Sequence, residues 1–171
     1  MSMMKGLSWV FGYGSLMWRQ DFPFVDARRA RIDGWTRRLW QGSHDHRGVT
    51  DDPGRVVTLI ESPGESCYGR AFLVAPEVFE HLDHREKNGY ERHTLTIYFE
   101  DSETSGVTYV AATDNHAFLG EAAEDEMVEQ ILRCRGESGS NLDYVLELAR
   151  ALRRFRIEDR HVFEIERLLR R

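Results

Sequence analysis

Apolar residues recur at every second position through roughly the first two thirds of the chain and at helical spacing thereafter. Residues 9–13 read as a first strand that breaks on Gly12 and Gly14, with Leu16, Met17 and Trp18 continuing apolar beyond the break. Residues 21–24 form a loop, because Pro23 fixes its own φ and restricts the residue before it. Residues 28–33 and 35–40 alternate like a strand with one wet face, and the isolated Gly34 between them predicts a bulge or a hairpin. Residues 55–61, rich in β-branched side chains, predict a strand. Ser62, Pro63 and Gly64 then predict a turn, with residues 67–74 as its antiparallel return.

Pro76 opens a helix at a position where its missing N–H does no harm. Val78, Phe79 and Leu82 form its apolar stripe, and Asn88-Gly89 marks its end. Residues 92–99 and 107–112 predict two more strands around a hairpin loop at 101–106. From residue 121 the texture is helical. Ala122, Met127, Ile131 and Leu132 mark one segment, and a break at 136–139 follows. Ser140, with Asp143 three residues on, has the form of a capping box and opens a helix that buries Leu142, Val145, Ala149 and Leu152. A last helix over about residues 158–170 buries Val162, Ile165 and Leu169. Hairpins first and helices later predict an α+β fold, a mainly antiparallel sheet that can either stay open or curl into a small β-barrel with flanking helices, in one domain spanning residues 1–171.

Composition narrows the class. At 171 residues the chain can bury a proper core, and 41% hydrophobic with 30% charged residues is ordinary for a globular protein. The net charge of −6 argues against a general binder of nucleic acid or anionic membrane, since either needs a basic face. Two cysteines, Cys67 and Cys134, are too few for a disulfide framework or a structural zinc site, and both sit in apolar segments that predict packing. No apolar run approaches a membrane span, and the first eight residues carry one Lys and no signal-peptide core, so a cytoplasmic location is expected.

Three stretches carry candidate chemistry. A strand ending in Gly12-Tyr13-Gly14-Ser15 presents backbone N–H groups suited to a carboxylate or phosphate, or is simply a tight turn. No Lys-Ser or Lys-Thr follows Gly14 and no third glycine completes a dinucleotide fingerprint, which favours a carboxylate-bearing small molecule. Residues 82–90 gather Asp83, His84, Arg85, Glu86, Lys87 and Tyr90 at a helix end. Arg85 and Lys87 complement the macrodipole of a solvated terminus, but Asp83 and Glu86 do not, and a carboxyl held there is pushed toward the proton affinity of a general base. The loop Ser43-His44-Asp45-His46 admits a metal pair or a Ser-His-Asp triad. A catalytic zinc wants a third ligand that no further motif supplies, and the triad lacks its strand–turn–helix elbow.

Together, Val10-Phe11-Gly12-Tyr13-Gly14-Ser15-Leu16, Trp40-Gln41-Gly42-Ser43 with Asp45-His46-Arg47-Gly48, Pro53-Gly54-Arg55-Val56-Val57-Thr58-Leu59, and Leu82-Asp83 with Arg85-Glu86-Lys87 and Gly89-Tyr90 resemble the ChaC family of glutathione-specific γ-glutamylcyclotransferases, colinearly over residues 9–155. The resemblance implies a γ-glutamylcyclotransferase-like fold and a lyase that turns glutathione into 5-oxoproline and Cys-Gly with neither cofactor nor metal. It implies Glu86 as acid and base, with Val10, Phe11, Gly12, Tyr13, Gly14 and Ser15 around the γ-glutamyl head. Arg47 or Arg55 would meet the glycyl carboxylate, which a guanidinium fork suits. His84 and Asn88 depart from the family's commoner aromatic and glycine and bear on the pocket wall. A cyclotransferase for other γ-glutamyl amines, and a non-catalytic ligand-binding regulator, are the alternatives.

Overall fold

The computed structural model describes residues 6–87 and 89–171; Asn88, where the end of the first helix is predicted, and the first five residues lie outside the described set. Five strands close a barrel in the order β1 (Ser8–Gly12), β3 (Gly54–Val74), β2 (Asp26–Ser43), β4 (Tyr90–Tyr98), β5 (Glu103–Ala111). All neighbours run antiparallel except at the closure, where β1 lies parallel to β5 with Val10 opposite Val107. The predicted mostly antiparallel barrel with flanking helices is therefore found.

One predicted hairpin is not. Residues 55–61 and 67–74 do not fold back on each other; they are one strand, β3, and both halves pair with β2. Trp35 faces Glu61 and Asp33 faces Ser66, so residues 62–65 bulge opposite Gly34 alone. Gly34 and Gly64 take φ of +87° and +89°, a left-handed conformation open to glycine at little cost, and place matched bends in the two strands. Ser62-Pro63-Gly64 is thus a bulge signal, and Gly34 a bulge rather than a hairpin. The predicted loop at 101–106 is also shorter, because β5 begins at Glu103.

Helix α1 (Val78–Arg85) buries Val78 and Leu82 against one end of the barrel, in a cluster with Val10, Leu16 and Phe72. Helices α2 (Glu124–Arg133), α3 (Asn141–Arg154) and α4 (Arg160–Leu169) pack on the other side of the sheet, where Ile131, Leu148, Leu152 and Ile165 join the main core. The break between α2 and α3 is a minimal hairpin, β6 (Arg135–Gly136) with β7 (Gly139–Ser140). Ser140 caps α3 by accepting the Asp143 N–H at 3.0 Å, as its position predicts. Asn141, fully buried, then imitates a strand residue: its Oδ1 accepts the Arg55 N–H at 2.7 Å and its Nδ2 donates to Arg55 O at 2.8 Å. These two bonds fix the start of α3 beside the start of β3 and bring Tyr144 over the end of β1.

Candidate active site

The floor of the site is the point where β1 stops. Beyond Gly12 the chain turns through Tyr13 and Gly14 into a 3-10 turn, Ser15–Met17. Arg37, buried in the barrel wall, holds this turn by donating its Nε to Tyr13 O at 2.7 Å while Nη1 pairs with Asp159 at 2.7 Å. The N–H groups of Gly14 and Ser15 have no acceptor among the described residues. A Cβ on Gly14 would lie 2.9 Å from Val57 Cγ2 and 3.4 Å from the Tyr144 hydroxyl, so glycine is required for the turn to lie this low.

Glu86 arrives from the opposite side, as the C-cap of α1. Its backbone N–H closes the helix on Leu82 O at 2.9 Å, which leaves its side chain pointing off the helix end. A pocket of about 50 Å³, here called the chamber, is lined by the glycine turn, Glu86, Val57 and the rings of Tyr90, Tyr109 and Tyr144. It adjoins an open cleft of about 320 Å³, the size range of small-molecule sites, and Ser15, Glu86, Tyr90 and Tyr144 line both.

Burial raises the Glu86 pKa to about 7; the Arg85 guanidinium opposes the shift and the Asp21 carboxylate adds to it. Among the described residues no hydrogen bond reaches its carboxylate, and Arg85 Nε stands 4.0 Å from Oε1. The surrounding tyrosines stay neutral, since burial raises the pKa of Tyr13, Tyr90 and Tyr109 and brings Tyr144 to about 12. Their hydroxyls are tied back into the frame. Tyr13 donates to Tyr109 O, Tyr90 to Val57 O at 2.7 Å and Tyr109 to Asp83 Oδ1 at 2.6 Å, while Tyr144 accepts the Val57 N–H at 3.1 Å. Asp83 also accepts from Arg92 at 2.7 Å, so it is a structural acceptor, whereas the Glu86 carboxylate accepts no hydrogen bond among the described residues.

The ChaC-like protein family model matches residues 8–171. The chain belongs to the ChaC family. It is 43% identical over 150 residues to human glutathione-specific γ-glutamylcyclotransferase 1, a match covering 82% of this chain and 68% of the relative. It is 37% identical over 186 residues to the glutathione-specific γ-glutamylcyclotransferase of Schizosaccharomyces pombe, covering 95% and 92%. The fold superposes with a TM-score of 0.89 on the crystal structure of a yeast γ-glutamyl cyclotransferase specific to glutathione, at 27% identity over 97% of this chain and 96% of that one.

Within this ChaC chain the residues singled out from sequence separate into groups. Gly12, Tyr13, Gly14, Ser15 and Glu86 meet in the chamber. Phe11 also lines it, while Val10 faces away into the cluster under α1. Arg47 lines the outer cleft, half-buried, with Nη1 donating to Ser140 O at 3.1 Å and its guanidinium 5.7 Å from the Tyr144 ring centroid. Burial lowers its pKa, and so does the nearby Arg19. Arg55 points elsewhere. Its guanidinium donates to Gln130 Oε1, Leu39 O and Gly120 O at 2.7, 3.0 and 3.1 Å, under α2, and it lines neither cavity. The sequence places a guanidinium at position 55 but not its direction, which packing against α2 decides.

Ser43 accepts the Arg47 N–H at 2.9 Å and closes its own loop, so no Ser-His-Asp relay forms. His44 and His46 turn to different partners, Thr50 O at 3.3 Å and Ser138 Oγ at 2.8 Å. Ligand-type atoms of Asp45, His46 and Glu137 do come within 4.8 Å of one another at the cleft mouth. Cys67 and Cys134 are free and buried. His84 lines the cleft, whereas Asn88 lies outside the described residues. Sequence reasoning missed Tyr109, Tyr144, Asp21 and Arg19. Tyr144 carried a faint signal, sitting one turn beyond the Ser140 cap on the side of α3 that turns inward.

Proposed function

We propose that this chain is a glutathione-specific γ-glutamylcyclotransferase in which Glu86 serves as general base and then general acid. The observation that carries the assignment is the Glu86 carboxyl: shifted to about 7, free of hydrogen bonds among the described residues, and walled into one chamber with the glycine turn. The names of the 43% and 37% identical relatives support glutathione as substrate.

The nucleophile is the substrate's own α-amine and the electrophile its own γ-carbonyl carbon, so the protein need supply no nucleophile. Glu86 accepts a proton from the α-ammonium. The amine nitrogen then attacks the γ-carbon, a C–N bond forms, and a five-membered ring closes on a tetrahedral oxyanion. Collapse breaks the bond to the cysteinyl nitrogen, which takes the proton from Glu86, and the ring nitrogen passes its remaining extra proton through Glu86 to the released amine, which leaves as an ammonium. The products are 5-oxoproline and Cys-Gly, and Glu86 ends ionised as it began. An α-amine near pKa 8 gives its proton to an ordinary carboxyl at a cost of roughly 5 kcal/mol; with Glu86 at about 7 the mismatch is about one unit, or roughly 1.4 kcal/mol.

Holding the glutamyl chain folded supplies a share of the roughly 7–11 kcal/mol available from proximity and orientation. The free N–H groups of Gly14 and Ser15 suit the head carboxylate or the oxyanion. Arg47 at the outer cleft suits the glycyl carboxylate. The two free buried cysteines fit a reducing compartment and support a cytoplasmic location.

Incubation with glutathione, with 5-oxoproline and Cys-Gly measured, tests the reading. Glu86→Gln is expected to reduce kcat about 10²–10⁴-fold. Wild-type kcat/KM is expected to rise with pH through about 7, as Glu86 loses its proton. Unchanged turnover in Glu86→Gln would remove Glu86 from the mechanism.

A further inference from the structure

Arg85, the last residue of α1, reaches across to the segment that follows β1. Nη2 donates to Ser15 Oγ at 2.9 Å, and Nη1 to Arg19 O at 2.9 Å and to Asp21 Oδ1 at 2.7 Å. Only Nε faces Glu86, and at 4.0 Å from Oε1 it is outside hydrogen-bond range. A guanidinium beside a free carboxylate ordinarily closes to a contact of about 2.7–2.9 Å. Here Asp21 offers the competing carboxylate, and it lies on the far side of the guanidinium from Glu86 in the bonding pattern.

We propose that Asp21 is a positioning residue of this active site: it holds Arg85 on the glycine-turn side, which keeps the guanidinium from closing to a hydrogen-bonded ion pair with Glu86 and orients the Ser15 hydroxyl. The inference rests on Glu86 being the base. Because Ser15 Oγ accepts from Arg85, its own proton is directed away from the guanidinium, and Ser15 lines the cleft. Its hydroxyl is thereby a donor for the carboxylate or carbonyl of a γ-glutamyl head. If Arg85 instead closed on Glu86, the ion pair would hold that carboxylate ionised and lower its proton affinity below that of a useful base.

The other charges around Glu86 do not take this role. Tyr13, Tyr90, Tyr109 and Tyr144 face it as neutral rings. Arg19, Arg47, Lys87, His46 and His84 line the wider cleft, and none donates to the Glu86 carboxylate among the described hydrogen bonds. His81 meets Asp21 itself, with Nε2 3.0 Å from Oδ1, and so competes with Arg85 for the same oxygen.

The test is a cycle of Asp21→Asn, Arg85→Gln and the double variant, with Asp21→Ser as a second probe should the Asn variant misfold. The Glu86 carboxyl titration is read by side-chain ¹³C NMR, and kcat/KM for glutathione is followed against pH. In Asp21→Asn the Glu86 midpoint and the acid limb of kcat/KM are both expected to fall by about one unit, with reduced kcat. In Arg85→Gln they rise. In the double variant they lie close to Arg85→Gln, the Asp21 effect shrinking to its direct repulsion of Glu86 because the larger part acts through the guanidinium. An unchanged or raised midpoint in Asp21→Asn, or equal Asp21 effects with and without Arg85, would overturn the proposal. The NMR titration needs no turnover. A wild type that leaves glutathione intact would therefore fail the assigned reaction while Asp21 is still judged on its own.

Discussion

Glu86→Gln is expected to stabilise the fold at alkaline pH in the same stroke that removes activity. The Glu86 carboxyl sits at about 7 in the folded chain against an ordinary 4.5. Between those values the folded state keeps a proton that the unfolded chain has already released. Stability is therefore full below about 4.5, declines as pH rises through the window, and carries the whole penalty above 7. A shift of about 2.5 units corresponds to about 3 kcal/mol; the side chain's partial opening to cleft water reduces this to roughly 1–3 kcal/mol. Glutamine has nearly the same shape and no ionised form, so it escapes the penalty. For a chain of this length the gain at pH 8 corresponds to several °C in Tm, roughly 2–4 °C per kcal/mol. Denaturant unfolding curves at pH 4.5, 6 and 8, followed by the fluorescence of the four Trp residues, read the difference directly. A variant no more stable than wild type at pH 8 would refute the buried-carboxyl argument. So would one stabilised equally at pH 4.5 and 8, which would point to packing instead of charge.

Two further outcomes follow from side chains outside the chamber. Arg55→Met is expected to destabilise the chain by about 2–4 kcal/mol, because it strips donors from Leu39 O, Gly120 O and Gln130. KM for glutathione, measured on the folded fraction, should stay near wild type; a large rise in KM would restore Arg55 to the substrate site. His161 accepts the Leu39 N–H on Nε2 at 3.0 Å, and burial depresses its pKa to about 4. The unfolded chain binds the proton first, so stability is expected to fall as pH drops from 6.5 to 4. His161→Gln, whose amide oxygen can accept the same N–H, should flatten that slope in urea titrations; an unchanged slope would assign it to other groups.

Much of the architecture is written in local pattern. Period-two alternation marks β2, β4 and β5, the Ser140 cap marks α3, and the change to helical spacing separates barrel from helices. These features depend on residues a few positions apart, so the chain displays them without its fold. Glu86 and the glycine turn were legible because both are short motifs in a resembling order. Neither composition nor periodicity could say that residues 12–15 and 86 face each other.

What the sequence by itself determined was the element content and the α+β class, and it named the two stretches that make up the candidate site. The tertiary structure decided which strand lies beside which. Ser62-Pro63-Gly64 has the chemistry of a turn, but with β2 alongside both halves of β3 it becomes a bulge opposite Gly34. It also decided where long side chains aim. Arg47 and Arg55 are alike in sequence, yet one lines the cleft and the other is locked beneath α2. The environment of Glu86 was beyond local reading for the same reason. Its proton affinity comes from tyrosines and a carboxylate contributed by residues 13, 21, 90, 109 and 144, which only the closed barrel and the helices packed on it bring within reach.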